Sequence, residues 1–239
     1  MDDKTQFSGI DAVILCGGQG TRLRGAISDR PKALAPFGDA TFLDILIETL
    51  KKAGFHHIIL CTGYMKEQIT RQFQSRKDIS VSFSEEAEPL GTGGALKNAQ
   101  SLIRSNTFVV LNGDSICDIN YHDFYHFHKN RQSLLSMVLV QKTDAGDFGS
   151  VTLDDSFRIT SFKEKIVNCN RSLVNAGIYF MEKEIFSFFP ERDRLSLEND
   201  VFPALTGERC TGFIIDSELI DIGTPERYQM ALNKIRGGT

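Results

Sequence analysis

The sequence predicts an α/β fold in which a single mixed, mostly parallel β-sheet is flanked by helices. In the first half, short apolar runs alternate with helical patterns, the helical patterns carry capping residues, and no repeat or linker interrupts the chain. Strands that alternate with helices form right-handed parallel βαβ units, which place ligands at the carboxyl ends of the strands. We therefore expect one domain over residues 1–239, with a regular half (about 1–115) and a less regular half (about 116–239).

Four apolar runs predict the strands of the first half, at 12–16, 57–63, 79–83 and 107–113. The first interval contains TFLDILIETLKKAGF, whose apolar residues recur at helical spacing. Thr41 precedes this pattern as an N-cap, and Gly54 lies just beyond its end. The segments KEQITRQFQ and GTGGALKNAQSLIR are expected to form helices in the next two intervals.

The second half contains two further apolar runs, SLLSMVLVQK and LVNAGIYFM, that predict buried strands. GSVTLDDSFRITSFKEK has the pattern of a hairpin that turns at 154–156. One helix is expected to begin at Ser196, and another follows Thr224 as its cap, with Pro225 at the first helical position. These elements would complete the sheet.

Composition excludes several kinds of partner. The 239 residues carry a net charge of −4 with the signs interspersed, so no basic stripe predicts a nucleic-acid partner. The apolar runs are far shorter than the roughly 20 residues of a membrane span, and the five cysteines form no C-x-x-C pair. We expect a soluble, cytoplasmic protein with reduced cysteines. Its 18 phenylalanines are assigned to the core, and a homodimer face among them stays open.

The stretch AVILCGGQGTRLRG (12–25) joins the first strand to a glycine-rich turn. Glycines let backbone N–H groups approach phosphate oxygens, as in many nucleotide sites. The Walker motif is missing, and Leu23 stands where the dinucleotide-binding fingerprint requires a third glycine. Arg22, Arg24 and Lys32 supply cations in and just after the turn. Fixed cations beside a phosphate nest favour a triphosphate that is attacked at phosphorus over a redox dinucleotide.

Two aspartates, Asp114 and Asp221, each follow a predicted strand. Strand ends are where an open α/β sheet binds its ligand, and Mg²⁺ prefers one or two carboxylates together with phosphate oxygens. Either aspartate alone is better explained as a turn residue or a helix cap. Spacing by itself leaves both interpretations open.

Six segments resemble, in order, the motifs of the sugar-1-phosphate nucleotidyltransferase family. They are LCGGQGTRLR with the following PKALAPFG, EEAEPLGTGGAL (85–96), LNGDS (111–115), FKEK (162–165), NAGIYFM (175–181) and LIDIGTPERY (219–228). The likeness covers essentially the whole catalytic domain and implies a Rossmann-like, GT-A-like fold. Two positions depart from the family pattern, because Cys16 replaces the usual alanine and Ile166 replaces the usual proline.

The resemblance implies a defined chemistry. A phosphate oxygen of a sugar 1-phosphate attacks the α-phosphorus of a nucleoside triphosphate in line and releases pyrophosphate, which requires alignment and charge neutralisation. Arg22 would hold the leaving phosphates and Lys32 the α-phosphate. Lys165 would hold the attacking sugar phosphate. With the family match, Asp114 and Asp221 are preferred as ligands of a Mg²⁺ cofactor.

The resemblance also implies two groups of binding residues. The nucleotide site, in the half 1–115, would comprise Leu15, Gly17, Gly18, Gly20, Thr21, Glu86, Pro89, Gly91 and Thr92. The sugar-phosphate site would comprise Asn112, Gly113, Glu164, Lys165, Asn175, Gly177 and Glu198, mostly from the half 116–239. A carboxylate from Glu86 or Glu88 can accept both N1–H and N2–H of guanine, which favours GTP as the nucleotide.

Within the family, the short chain, GDS and SLEND most resemble the D-glycero-α-D-manno-heptose 1-phosphate guanylyltransferases. That branch implies nucleotide-sugar supply for a capsule, lipopolysaccharide or S-layer polysaccharide. Mannose 1-phosphate guanylyltransferases and N-acetylmuramate 1-phosphate uridylyltransferases are the alternatives. A nucleotide-sensing regulatory subunit would be expected to have lost Lys32, Asp114 or Asp221, and an NAD-dependent oxidoreductase is disfavoured by the missing third glycine.

Overall fold

The computed structural model describes residues 7–143, 149–164, 172–207 and 209–237. In these residues the strands are β1 (Asp11–Leu15), β2 (Pro36–Phe37), β3 (Ala40–Thr41), β4 (His57–Thr62), β5 (Ser80–Glu85), β6 (Thr107–Asn112), β7 (Ser115–Ile116), β8 (Leu135–Lys142), β9 (Gly149–Leu153), β10 (Ile159–Glu164), β11 (Ser172–Glu182), β12 (Cys210–Ile215) and β13 (Ile220–Asp221). The α-helices are α1 (Phe42–Ala53), α2 (Lys66–Phe73), α3 (Gly91–Asn98), α4 (Tyr121–Asn130), α5 (Phe202–Leu205) and α6 (Pro225–Gly237).

One sheet contains nine of the described strands, in the order β10-β9-β11-β6-β1-β4-β5, with β8 and β12 added beside β11. Strands β5, β4, β1 and β6 are parallel neighbours, as the alternating pattern predicts. Only β10 and β11 run against the other strands of this described sheet. The predicted fold class, a mixed and mostly parallel sheet flanked by helices, is confirmed. Two short ribbons, β2–β3 and β7–β13, lie outside the sheet.

Helix α1 shows how local sequence fixes an element. The Thr41 hydroxyl accepts a hydrogen bond from Asp44 N (3.2 Å), and the Asp44 carboxylate accepts one from Thr41 N (2.9 Å). This capping box satisfies two backbone donors at the helix start and is worth about 1 kcal/mol. Gly54 ends the helix in the left-handed conformation, with φ 100°. The apolar face packs into the core through Phe42, Leu43, Leu46, Ile47 and Leu50.

The helix expected at Ser196 has a different form. Ser196 caps it as predicted, because its hydroxyl accepts a hydrogen bond from Asn199 N. The first turn, Leu197–Val201, is π-helical, and the regular helix α5 begins only at Phe202. Pro203 explains the interruption, since it has no N–H to donate to the carbonyl of the preceding turn. Among the described residues, none of the helices has both the length and the apolar character that a membrane span requires.

Candidate active site

A cavity of about 360 Å³ lies where strands β1 and β6 end, between the signature glycine turn and the amino terminus of α3. The predicted site residues that line it are Leu15, Gly17, Gly18, Gly20, Thr21, Arg22, Lys32, Glu86, Pro89, Gly91, Thr92, Asn112, Gly113 and Asp114. The parallel strands bring these segments together because their carboxyl ends share one edge of the sheet. Every residue of the predicted nucleotide site therefore borders the same cavity.

A cation and a carboxylate face each other in this cavity. Lys32 begins a single 3₁₀ turn after the rigid Pro31, and its Nζ lies 2.7 Å from Asp114 Oδ2. The Lys32 side chain is only 12 % exposed, whereas that of Asp114 is 39 % exposed. A Cβ on Gly20 would lie 3.0 Å from Lys32 Cβ, so the glycine turn packs directly on the lysine stem. The ammonium is held in place by packing and by charge.

The turn Thr21–Leu23 presents two arginines to solvent. Leu23 is buried and anchors this 3₁₀ turn, which leaves Arg22 and Arg24 exposed on either side. Arg22 lines the cavity. The Arg24 guanidinium lies 5.2 Å from the centre of the Tyr64 ring, a cation–π contact that the sequence did not predict.

Glu86 is a buried carboxylate in the cavity lining. It is 8 % exposed, and its Oε2 accepts a hydrogen bond from Leu90 N at 3.0 Å. A Cβ on Gly17 would lie 2.9 Å from Glu86 Oε1, so only glycine at this position lets the signature turn approach the carboxylate. Burial raises the pKa of Glu86 above its ordinary value, against the opposing effect of the Leu90 hydrogen bond. Glu88, the other candidate, is exposed and does not line the cavity.

Three of the predicted sugar-site residues lie together. Asn112 lines the cavity, and its buried Oδ1 has no hydrogen-bond partner among the described residues. A Cβ on Gly177 would lie 2.7 Å from Asn112 Nδ2, which places Gly177 against Asn112. Asn175 Oδ1 accepts from Gly177 N at 2.9 Å, and Asn175 Nδ2 donates to the Tyr179 hydroxyl at 2.7 Å. An acceptor is thus left without a donor at the cavity wall.

The other residues predicted for the sugar site are Glu198, Glu164 and Lys165. Glu198 Oε2 accepts a hydrogen bond from Thr92 Oγ1 at 2.7 Å, so this carboxylate contacts the nucleotide side. Glu164 ends strand β10. Lys165, predicted to hold the attacking phosphate, lies outside the described residues.

Asp221 lies at the end of strand β13, in the two-stranded ribbon that β13 forms with β7. Strand β13 pairs with β7 so that Asp221 faces Ser115, and Ile222 N donates to Asp114 O at 3.0 Å. The Asp221 carboxylate accepts hydrogen bonds from Gly223 N (2.9 Å) and Arg227 Nη1 (3.0 Å). Of these residues only Asp114 and Gly223 border the cavity itself.

The donor set at this ribbon fits Mg²⁺. In the described ranges, no group of three or more His, Cys, Asp or Glu side chains is arranged to hold a metal. Mg²⁺ does not need such a group, because it is commonly held by one or two carboxylates with phosphates and waters completing its shell. Asp114 and Asp221 are both hard oxygen donors of this kind; Asp114 lines the cavity, and Asp221 lies on the adjoining ribbon.

Some cavity residues were not predicted. They are Cys16, Gln19, Ala33, Ala95 and Gly223. Each lies within one of the motif segments or the helix that follows it, so its position in the motif was the available signal. Cys16 is buried, and burial raises the pKa of its thiol, with the charge of Glu86 adding to the effect. It lines the cavity as a neutral, unreactive group.

A mixed, mostly parallel sheet with a glycine turn, cations and a carboxylate at the carboxyl edge of its strands is the arrangement of a nucleotide-binding α/β protein. The model of the Nucleotidyl transferase family matches residues 11–237, and the chain belongs to this family. It is 37 % identical to the D-glycero-alpha-D-manno-heptose 1-phosphate guanylyltransferase of Campylobacter jejuni over 220 residues, which cover 92 % of this chain and 97 % of that protein.

Two further comparisons place the chain within the family. Mannose-1-phosphate guanylyltransferase of Mycobacterium tuberculosis is 33 % identical over 92 % of this chain, which covers only 62 % of that longer protein. The crystal structure of HddC from Yersinia pseudotuberculosis superposes with a TM-score of 0.84 at 36 % identity, over 94 % of this chain and 99 % of HddC. HddC has also been crystallised in complex with GMP-PN, and that structure superposes with a TM-score of 0.83.

Proposed function

We propose that the protein transfers a guanylyl group from GTP to D-glycero-α-D-manno-heptose 1-phosphate and releases pyrophosphate. The observation that carries this proposal is one cavity whose lining combines the cations Lys32 and Arg22, the Asp114 carboxylate and the buried Glu86 carboxylate. The cations suit a triphosphate by charge, and the buried carboxylate suits a guanine base by hydrogen bonding. Relatives with this activity match nearly the full length of the chain.

The reaction is an in-line displacement. An oxygen of the sugar phosphate forms a new bond to the α-phosphorus, and the bond from that phosphorus to the bridging oxygen breaks, so pyrophosphate leaves with the electron pair. No side chain has to transfer a proton, because both reacting oxygens are phosphate oxygens at neutral pH. Arg22 neutralises the leaving phosphates and Lys32 the α-phosphate. Lys165 is proposed to orient the attacking phosphate.

Asp114 and Asp221 would hold a Mg²⁺ ion in this reaction. When bound, Mg²⁺ supplies charge neutralisation to the phosphate oxygens. The two aspartates lie on a ribbon that the backbone hydrogen bond from Ile222 to Asp114 keeps in register. Their pairing with Lys32 and Arg227 holds both carboxylates in place before any substrate binds.

Glu86 supports guanine as the base. Its carboxylate is fixed by the Leu90 N–H and accepts further hydrogen bonds only from a donor-rich edge, which guanine presents through N1–H and N2–H. Uracil presents a single N–H between two carbonyl oxygens, and a carboxylate repels those oxygens. The alternative uridylyltransferase function is therefore disfavoured. Crystallisation of HddC with GMP-PN, a guanine nucleotide, agrees with this assignment.

Two observations support the choice of sugar. Asn112 Oδ1 is an acceptor that a sugar hydroxyl can satisfy, and Asn175 and Gly177 adjoin it. Heptose is preferred over mannose because the heptose enzymes match this chain over nearly their whole length. The use of GTP supports the predicted cytoplasmic location, and the product would supply polysaccharide synthesis. A homodimer stays a prediction.

Pyrophosphate release tests the proposal. The purified protein is mixed with Mg²⁺, each of the four nucleoside triphosphates and a panel of sugar 1-phosphates that includes the heptose, mannose and N-acetylmuramate compounds. We expect the highest kcat/KM with GTP and the heptose. Highest kcat/KM with UTP would overturn the base assignment, and no release from any pair would favour the nucleotide-sensing alternative.

A further inference from the structure

The two substrate sides of the cavity are joined by a direct backbone contact. The base-side turn (90–94) runs alongside the sugar-side segment (195–198), and Gly93 N donates to Leu195 O at 2.9 Å. Gly91 has φ +75°, and a Cβ there would lie 2.5 Å from Leu195 O. A side chain at position 91 would clash with Leu195 O, so the contact requires glycine there.

A side-chain contact crosses the same boundary. Thr92 Oγ1 donates to Glu198 Oε2 at 2.7 Å, and the same hydroxyl accepts from Leu197 N at 2.8 Å. Ser196 Oγ donates to Glu198 Oε2 at 2.9 Å. The Thr92 hydroxyl therefore both donates and accepts a hydrogen bond across the boundary, although Thr92 itself lines the nucleotide cavity. Movement of the base-side turn must move Glu198.

Glu198 also faces the sugar side. Its charge lies close enough to the fully buried Tyr179 to raise the phenol pKa further, after burial as the main cause. The Tyr179 hydroxyl in turn accepts a hydrogen bond from Asn175 Nδ2, and Asn112 lies within hydrogen-bonding reach of it. No described residue donates to the second oxygen of Glu198, Oε1. Hydrogen bonds thus join Thr92 to Glu198, and the charge of Glu198 acts on the buried Tyr179, whose hydroxyl contacts the predicted sugar-binding amide of Asn175.

We propose that Glu198 is a positioning residue that couples the two substrate sites, an inference that rests on the proposed function of the cavity. A nucleotide that orders the base-side turn fixes Thr92, which fixes the Glu198 carboxylate and the polar groups around Tyr179. The sugar phosphate then binds to a site that is already ordered. Because coupling between binding sites is reciprocal, the sugar phosphate strengthens nucleotide binding by the same factor.

Calorimetric titration of heptose 1-phosphate measures this coupling directly. The sugar phosphate is titrated into the protein alone and into the protein saturated with the α,β-methylene analogue of GTP, which cannot be cleaved at the α-phosphorus. We expect the nucleotide to tighten sugar-phosphate binding about tenfold in the wild type. Thr92→Val and Glu198→Gln should each reduce this factor to about twofold or less, while Thr92→Ser, which keeps the hydroxyl, should retain it.

Two controls distinguish a loss of coupling from a general loss of structure or of ligand binding. Thr70→Val removes a buried hydroxyl that has no partner among the described residues, and it should keep the wild-type coupling factor. For Thr92→Val, affinity for the nucleotide alone is titrated separately and the coupling factor is measured at saturating analogue, so that a direct loss of nucleotide binding does not enter the factor; the sugar KM at saturating GTP should rise. A double-mutant cycle of Thr92→Val with Glu198→Gln should be strongly non-additive.

The possible failures are distinguishable. A wild type that binds both ligands without mutual enhancement would overturn the coupling and leave the proposed function standing. Unchanged coupling in Thr92→Val would do the same. A wild type that binds neither ligand would overturn the proposed function, and the coupling with it.

Discussion

The Lys32 ammonium lies 2.7 Å from the Asp114 carboxylate, across 82 residues of sequence. One of these residues is proposed to bind the α-phosphate and the other a metal ion, so in the free protein they neutralise each other. A nucleotide that arrives with its metal supplies a new partner to each. The pair therefore keeps both groups ordered until the substrate replaces their mutual contact.

Lys32→Ala should abolish most turnover while the fold is kept. Removal of a fixed cation from a site of developing phosphate charge costs about 100-fold or more in kcat. Pyrophosphate release measures kcat, and thermal unfolding checks the fold. Arg30→Ala is the matched control, because Arg30 is a nearby cation that, among the described residues, forms an ion pair only with the exposed Asp29 and should be dispensable. A Lys32→Ala protein with wild-type kcat would remove Lys32 from the mechanism.

Glu86→Gln should weaken selection of guanine. The amide places an N–H donor against the donors of the guanine edge, and one mispaired buried polar group costs about 1–3 kcal/mol, or roughly 10- to 100-fold in kcat/KM for GTP. Competition between GTP and UTP measures the change in preference. Glu88→Gln, an exposed neighbour, should leave it unchanged. An equal fall for both nucleotides would show that Glu86 supports the fold without reading the base.

The same carboxylate predicts a pH dependence. Burial raises the pKa of Glu86, so the group becomes protonated at a higher pH than an ordinary glutamate. The protonated form loses an acceptor for the guanine N–H groups, and kcat/KM for GTP should therefore fall as the pH drops through this raised pKa. The acid limb of the pH profile should disappear in Glu86→Gln. If it persists in that variant, another group causes it.

Local sequence patterns predicted much of the fold. The features that could not be predicted depend on contacts between residues far apart in the sequence. The α1 cap at Thr41 and the glycine turn near Lys32 depend on neighbours in sequence, and both could be inferred. The contact of Thr92 with Glu198 joins residues 106 positions apart, and the sequence predicted Glu198 only as a sugar ligand. Which partner a carboxylate meets depends on how two segments dock, and no periodicity or spacing contains that information.

Asp11→Asn should lower stability without affecting catalysis. Asp11 begins β1, at the opposite end of the sheet from the cavity, and accepts hydrogen bonds from His57 Nδ1 (2.6 Å) and Ser105 N (2.8 Å). Loss of a buried, charge-assisted acceptor costs about 1–3 kcal/mol of unfolding free energy. Urea denaturation measures the loss. Asp155→Asn, at an exposed turn, is the control and should unfold like the wild type.

The lowered pKa of Asp11 predicts how the free energy of unfolding depends on pH. Burial alone would raise its pKa, but hydrogen bonds from His57, Ser105 and Arg104 outweigh burial and lower the pKa to about 2. An unfolded aspartate titrates near 3.9, so the Asp11 contribution is complete above about pH 4 and is lost as the pH falls toward 2. The stability gap between wild type and Asp11→Asn should close over that interval. A constant gap would contradict the lowered pKa.

Removal of divalent metal should stop turnover reversibly. Chelation with EDTA is expected to abolish pyrophosphate release, and excess Mg²⁺ should restore it. Asp221→Asn should raise the Mg²⁺ concentration for half-maximal rate by about tenfold or more, because a neutral amide is a weaker ligand for a hard cation. Asp216→Asn removes an exposed carboxylate of the same region and should leave the requirement unchanged. Full activity in EDTA would refute the metal assignment.

Asn112→Leu should move stability and activity in opposite directions. Asn112 Oδ1 is buried without a partner among the described residues, a state that costs about 1–3 kcal/mol in the free protein and that the proposed sugar hydroxyl would relieve. Replacement by leucine removes this cost, so the melting temperature should hold or rise, while KM for the sugar phosphate rises about tenfold. Thr62→Val removes a buried hydroxyl that likewise has no hydrogen-bond partner in the described part of the chain, and it should stabilise the fold with no change in that KM. If Asn112→Leu destabilises the fold and leaves the sugar KM unchanged, the orphaned oxygen serves packing, and the sugar site lies elsewhere.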